Sequence, residues 1–409
     1  MKIETKPLLI ELGTEELPPK SLKSLGDAFS SNILSGLSDA GLITETSGSR
    51  LFATPRRLAI QVDEVAIRQA DSMVERRGPA VSAAFDDAGN PSQAAVGFAR
   101  SCKVEVSALE RMQSDKGEWL VFRSEQTGLP ASKMIPEIIN TALHKLPVQK
   151  RMRWGDMEAE FVRPVHWLLI LHGNKIIETT LLTVASSNKT RGHRFHHPDM
   201  LTVATATEYE DILEHSGRVM PDFNRRRDVI IEQVKKLASD KGGNALIDPA
   251  LLDEVTALVE WPNALPGQFD KEYLQVPQEA LISAMQDHQK YFPVVDEAGR
   301  MTSSFIFVSN IESVNPSSVC RGNERVLNAR FSDARFFWDT DRDQGLDSQV
   351  DLLKSVVFHD KLGSVYDRTL RVQKLAGQIA ELLGSDSNMA TRAALLAKAD
   401  LLTGCLLYT

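Results

Sequence analysis

The 409 residues carry 47 Lys+Arg against 55 Asp+Glu, a formal net charge of −8, with 42% apolar and 25% charged side chains. This is the composition of a folded globular protein long enough for two to four domains; it excludes a disordered chain and a uniformly basic nucleic-acid coat. No apolar run approaches the roughly 20 residues of a membrane span, and Met1–Lys6 has no apolar core of a signal peptide. The cysteines, Cys102, Cys320 and Cys405, are odd in number and far apart. They argue against a zinc site or disulfide framework and fit a reducing cytoplasm.

In chain order, Pro7 to Leu12 reads as a compact apolar strand, broken at Gly13-Thr14 and followed by the Pro18-Pro19 turn. Ser21 to Leu37 reads as an amphipathic helix, with Leu22, Leu25, Phe29, Ile33 and Leu37 at steps of three and four. Residues 51–66 alternate as β structure. Gly89-Asn90-Pro91 predicts a turn, Gln93–Arg100 and Ser107–Met112 short helices, and Trp119–Phe122 a strand. Met134–Leu146 predicts a helix stopped by Pro147. Phe161–Leu171, a turn at Gly173-Asn174 and a run through Leu182 predict a hairpin. Arg225–Asp240 is the next helix, Phe305–Val308 a buried-type strand. Arg325–Trp338 is a helix with Leu327, Phe331, Ala334 and Trp338 in one stripe. Beyond about residue 345 the pattern turns helical, over Leu352–Leu383 and Met389–Leu407. A domain boundary is therefore expected near 345. The fold class expected is α+β multidomain: a mixed sheet-and-helix region over 1–345, in two or more subdomains, then an all-helical domain begun at 346–409. Because Leu406 to Thr409 is apolar sequence without a cap, that last domain is expected to be incomplete.

Chemistry concentrates in one stretch. From Lys145 to Arg194 nine Lys+Arg face four Asp+Glu, a local net of +5, leaving −13 for the rest. A basic island on an acidic body is the footprint of a polyanion site. At its end, Thr190-Arg191-Gly192-His193-Arg194-Phe195 gathers donor side chains around a glycine. Lys150, Arg151, Arg153, Arg191, His193 and Arg194 are the candidate nucleic-acid contacts, since Arg and Lys suit phosphate. Neither GxxxxGK[ST] nor GxGxxG, GxSxG or HExxH occurs. His193, His196 and His197 cluster, but neighbouring Arg191 and Arg194 repel cations, so no metal ligand is assigned. Glu15 and Glu16 are expected on opposite faces of an extended chain, and Glu11 and Glu15 are expected to accept backbone N–H groups near the Pro-Pro turn. No catalytic residue emerges.

A series of motifs in order resembles one family, the beta subunit of bacterial heterotetrameric glycyl-tRNA synthetase. They include Glu11–Pro19, Thr54-Pro55-Arg56-Arg57-Leu58, Lys116-Gly117-Glu118-Trp119, Met152-Arg153-Trp154-Gly155 and Phe161–His166. Thr190–Phe195, Val259-Glu260-Trp261-Pro262, Gln289–Pro293, Gly322–Val326 and Asp333–Phe337 continue the series to about residue 403. The resemblance implies a non-catalytic, tRNA-binding subunit of glycine–tRNA ligase in the cytoplasm. Its partners are an alpha chain, a second beta chain and the tRNA for glycine, with no membrane. The alpha chain carries the active site, where ATP with Mg acts, and this chain needs no cofactor of its own. The resemblance also implies an α+β N-terminal region related to a synthetase accessory domain, an HD-like helical domain, and an anticodon-binding part beyond residue 409. Asp367–Val372 and Ala393–Asp400 are similar to the frame of HD-type metal phosphohydrolases. Arg368 and Ala397-Lys398 stand where the metal-binding His and His-Asp would be. Two alternatives follow: an HD-type phosphohydrolase, and a pure assembly module that docks the alpha chain through aromatics of 331–338.

Overall fold

The computed structural model describes residues 3–404 except 87, 88, 115 and 116; Lys116, Cys405 and the last residues through Thr409 thus lie outside the described residues. The chain divides into two compact units, Met1–Gly217 and Arg218–Thr409. Residue 345 falls inside the second unit.

In the first unit β1 (Thr5–Thr14), α1 (Pro19–Asp39), β2 (Ser49–Thr54) and β3 (Arg57–Ala66) come first. An insertion follows: β4 (Ser72–Ala80), α2 (Val81–Ala84), α3 (Gln93–Cys102), β5 (Glu110–Ser114) and β6 (Gly117–Gln126). It forms a three-stranded sheet in the order β4-β6-β5. Then come α4 (Ala131–His144), β7 (Met152–Arg153), β8 (Glu160–Phe161), β9 (Val165–His172) and β10 (Lys175–Ile176). The short strands β11 (Thr180–Leu181), β12 (Val184–Ser187), β13 (Lys189–Arg191) and β14 (Met200–Thr202) precede a single helical turn, α5 (Tyr209–Asp211).

The main sheet runs β11-β12-β9-β1-β3-β2, with β10 added to β9. β1 lies in its middle, antiparallel to both β3 and β9. A strand buried on both faces reads as a continuous apolar run, which is why Leu8, Leu9, Ile10 and Leu12 are all buried. One face, with Leu8, Ile10, Leu12, Leu58, Ile60 and Leu168, packs under α1, whose buried stripe is the predicted one. Each such side chain contributes roughly 1.5–3 kcal/mol on burial. The opposite face is polar in part: Glu11 and Gly13 of β1 share it with Arg57 and Trp167, which stand opposite Gly13 on either side. The predicted hairpin after Phe161 forms as β9–β10, but its second strand ends at Ile176. Ser107–Met112 is not a helix; a 3-10 turn over Val106–Ala108 leads into β5. β5 pairs Arg111 with Leu120 and Met112 with Trp119 of β6, so strand pairing overrides local propensity there.

The second unit contains α6 (Phe223–Asp240), β15 (Asn244–Ala245), α7 (Pro249–Leu258), β16 (Asn263–Gln268), α8 (Gln278–Ser283), β17 (Phe292–Val295), β18 (Met301–Ser309) and α9 (Pro316–Gln344). Its four-stranded sheet, β15-β17-β18-β16, carries helices on both faces. Ile306 of β18 packs with Ile230 and Val234 of α6. Phe305 and Phe307, pointing the other way, pack with Leu281 of α8 and Leu327 and Phe331 of α9. The predicted stripe of α9 is confirmed, with Leu327, Phe331 and Ala334 buried and Trp338 partly buried against the same core, and the helix extends well beyond both predicted ends. Then follow α10 (Leu346–Gln349), β19 (Val357–His359), β20 (Gly363–Ser364), α11 (Val365–Leu382) and α12 (Ser387–Leu396). The segment after 345 is therefore not all-helical: β19 and β20 form a hairpin. Val357 and Phe358 favour strand, and a capping box of Ser364 with Asp367 starts α11 afresh. No helix among the described residues is long and apolar enough to cross a membrane.

Candidate nucleic-acid interface

Thr190 to Phe195 spans β13 and the tip of a hairpin. β13 and β14 pair Lys189 with Thr202, Thr190 with Leu201 and Arg191 with Met200, leaving residues 192–199 as the connecting loop. Its base is fixed to the polar face of the main sheet. The Thr190 hydroxyl donates to Glu11 Oε1 at 2.8 Å. Arg57 Nη1 donates to the same oxygen at 3.2 Å, and Nη2 to the Arg191 carbonyl at 3.0 Å. Arg57 Nε reaches the Thr54 hydroxyl at 3.2 Å. Glu11 and Arg57 are both fully buried. A buried carboxylate must be paired to be tolerated, and here the pair ties β1, β3 and the hairpin together.

Burial pushes the Glu11 carboxyl above its ordinary range; Arg57, Thr190, Trp167 and Tyr209 only partly offset it. Trp167 Nε1 and the Tyr209 hydroxyl face this carboxylate, but neither closes to full hydrogen-bond geometry among the described residues. The Trp167 ring lies against Gly13, where a Cβ would stand 1.8 Å from Cε2. Arg56 and Arg57 flank that ring at 5.7 and 5.6 Å from its centroid.

The tip is itself stapled. His193 Nδ1 accepts the backbone N–H groups of Phe195 and His196, each at 3.2 Å. The His193 carbonyl accepts from His197 N at 2.9 Å, and the His193 N–H donates to the Gly217 carbonyl at 2.7 Å. Gly192 is required at the turn, since a Cβ there would stand 2.6 Å from the His197 carbonyl oxygen. Outside this core, Arg194 donates to Glu15 through Nη2 and to Glu16 through Nη1 at 3.3 Å. His166 Nε2 lies 3.1 Å from Glu15 Oε2. Glu15 and Glu16 therefore converge on one arginine instead of facing apart, because the chain bends at Glu15. Burial alone would raise the Glu15 carboxyl; Arg194, His166 and Arg56 outweigh it and hold it below its ordinary range. Glu11 and Glu15 take side-chain donors as partners, where backbone N–H groups were expected.

The six candidate contacts fall into two groups. Arg191, His193 and Arg194 share the hairpin. Lys150, Arg151 and Arg153 lie on the segment after α4. Arg151 donates to the His144 carbonyl at 3.1 Å and so caps the C-terminus of α4. Arg153 pairs with Glu158 and Glu160. His193 is fully buried: its ring holds the turn and is not on the surface. Lys150 and Arg191 are exposed and make no ion pair among the described residues. Arg163, which the sequence did not single out, bonds only the Glu16 and Val162 carbonyls among the described residues, so its charge also lacks a carboxylate partner. Arg57, the centre of the anchoring network, was likewise passed over. Its signal was available: two adjacent arginines at the start of an apolar strand, and one glutamate inside another.

In the second unit an open cavity of about 600 Å³ is lined by Lys354, His359, Asp360, Ser364, Tyr366 and Asp367. Several of its polar groups are spent locally, Lys354 on Asp351 and Ser364 and Asp367 on each other. Among the described residues no group of three or more His, Cys, Asp or Glu could hold a metal ion.

A family model described as the glycyl-tRNA synthetase beta subunit matches residues 8–407. The glycine–tRNA ligase beta subunit of Marinobacter nauticus is 52% identical over 400 residues, covering 98% of this chain and 57% of that protein. Those of Hahella chejuensis and Colwellia psychrerythraea are 49% and 48% identical over 97% and 98% of this chain. The chain thus spans somewhat more than half the length of the curated relatives it matches. Matched from residue 8 to 407 and about half identical to these relatives, the chain belongs to the glycyl-tRNA synthetase beta subunit family.

Proposed function

We propose that this chain is a tRNA-binding, non-catalytic portion of a glycine–tRNA ligase, acting beside an alpha chain in the cytoplasm. The observation that carries the reading is the hairpin at 189–202: a rigid loop, tied to a buried ion pair, that displays Arg191 without a carboxylate partner among the described residues. An exposed cation held in place by backbone and buried side chains suits phosphate. Lys150, exposed, and Arg163, half-buried, add two further cations without a carboxylate partner among the described residues. Arg153 and Arg194 stay in reserve, since surface ion pairs are worth only about 0–1 kcal/mol and can exchange for phosphate. ATP with Mg, and all bond-making steps, belong in this reading to the alpha chain, and a second beta chain completes the assembly. In this reading the helices α11 and α12 belong to an HD-like helical domain.

The test is glycylation of the cognate tRNA by purified alpha chain with and without this chain, alongside tRNA binding at several salt concentrations. Binding whose log K falls linearly with log salt, with the slope reduced in Arg191→Ala, supports the reading. Absence of any tRNA binding refutes it. A second reading, docking of the alpha chain alone, is favoured by Phe336 on α9, which is 64% exposed while Phe331 in the same helix is buried. Co-purification of the two chains without tRNA binding would select it.

A further inference from the structure

The hairpin tip carries one feature that phosphate binding does not use. Phe195 is 71% exposed. Exposed apolar side chains are common singly, but this one is not on a mobile tip. Its own N–H is held by His193 Nδ1, the next N–H by the same atom, and the turn closes through His197. The His193 ring that makes these bonds is buried and lies 6.2 Å from the Phe195 ring, centroid to centroid. The cost of ordering the tip is therefore met before any ligand arrives. Arg191 ends β13 four residues earlier in the same hairpin, exposed and with its charge uncompensated among the described residues, and Lys189 is exposed two residues before it. A held, open aromatic ring on the same hairpin as an exposed guanidinium is the combination that holds unpaired nucleotides: the ring stacks on a base and the cation takes a neighbouring phosphate.

We infer that Phe195 is a stacking platform for an unpaired nucleotide of the bound tRNA, with Arg191 on the neighbouring phosphate. The inference rests on the tRNA-binding reading above and assigns to it a residue and a mode of contact. Duplex RNA does not fit, because its bases are already stacked and its edges are reached by other means. Any base serves, since every base has a π face.

The experiment titrates a transcript of the cognate tRNA onto the whole chain, over a salt series, with wild type, Phe195→Leu, Phe195→Trp and Arg191→Ala. Circular dichroism of each variant confirms that the exposed substitution leaves the fold intact. Loss of one stacked base raises Kd by roughly 5- to 150-fold in Phe195→Leu, at every salt concentration and with an unchanged salt slope. Phe195→Trp keeps wild-type affinity, and Arg191→Ala lowers the slope by about one. If wild type binds no tRNA, the tRNA-binding reading and this inference fall together. If wild type binds and Phe195→Leu binds equally well, or Phe195→Trp fails as Phe195→Leu does, stacking alone is overturned. Unchanged tRNA affinity with lost co-purification of the alpha chain would also overturn it, by giving the ring to a protein partner.

Discussion

Replacing Arg57 with methionine tests whether the buried pair is the anchor of the hairpin. The substitution removes donated contacts to Glu11, to Thr190 at 3.3 Å, to the Arg191 carbonyl and to Thr54 at once. It leaves a fully buried carboxylate with Thr190 as its one hydrogen-bond donor of full geometry among the described residues. Removing one partner of a buried ion pair costs about 3–5 kcal/mol, whereas replacing both with apolar groups is often neutral. Arg57→Met is therefore expected to destabilise the first unit by about 3–5 kcal/mol at neutral pH, and Glu11→Leu with Arg57→Met to recover most of that loss. Because a chain of two units does not unfold in one step, the readout is native-state hydrogen exchange at β1 and β3 amides. The pH dependence has a definite sign. Burial raises Glu11 above the ordinary 4.5, so between 4.5 and the folded value the folded state holds a proton that the unfolded chain has released. Stability from this group is full below 4.5 and is lost as pH rises through the folded value. Losing Arg57, which lowers that value, widens the window; the Arg57→Met penalty is smallest in acid and grows with pH. A penalty below about 1 kcal/mol at neutral pH, or a double variant as unstable as the sum of the singles, would refute the argument.

Other outcomes follow from the same geometry. Gly13→Ala drives a methyl into the Trp167 ring, which Arg56 and Arg57 flank, and is expected to cost about 3 kcal/mol, the upper end for overpacking, with a shifted tryptophan emission. Glu15 has its carboxyl held below 4.5, so its contribution is present above that pH and lost as pH falls through the folded value. Because the pair is largely exposed, Glu15→Gln should flatten acid denaturation at low salt and match wild type at high salt. Burial pushes the Tyr291 phenol up to about 12, and its hydroxyl donates to Asn323 Oδ1 at 2.6 Å. Phenolate absorbance should appear near 12 instead of 10.0, with stability from this group full below 10.0 and lost through about 12. Tyr291→Phe should cost about 0.5–1.5 kcal/mol.

The legible parts of the sequence were those where one physical signal acted alone. The stripe of α1, the apolar run of β1 and the stripe of α9 each follow from burial of a single face or of both. The basic stretch before Arg194 was visible as charge. What charge counting misses is who spends it: Arg151 on a helix terminus, Arg153 and Arg194 on glutamates, His193 on its own turn. The partners of Arg151, Arg153 and His193 lie within eight residues, whereas those of Arg194 are 178 and 179 residues away and are brought in by the fold. Strand pairing made β5 a strand where local preference suggested a helix, and β19–β20 a hairpin within a run of helix formers. Glu15 and Glu16 diverge on an ideal strand and converge here only because of a bend that no pattern announces.

Thr190 separates the two roles the hairpin combines. Its hydroxyl is fully buried and donates to Glu11 Oε1, so it touches no ligand and can act only through position. Thr190→Val keeps shape and removes one donor, leaving the carboxylate to Arg57. The expected cost is about 1–3 kcal/mol, since a buried acceptor loses a partner, together with faster exchange of amides at 189–202. Arg191→Ala does the reverse: an exposed side chain with no ion pair among the described residues can be cut without measurable loss of stability. If the hairpin is the interface, Thr190→Val weakens tRNA binding with an unchanged salt slope, because the same cations bind from a less ordered loop. Arg191→Ala weakens it by lowering that slope. A Thr190→Val protein that loses stability yet binds tRNA with wild-type affinity and slope would show that the anchored geometry of 189–202 is not what the RNA meets.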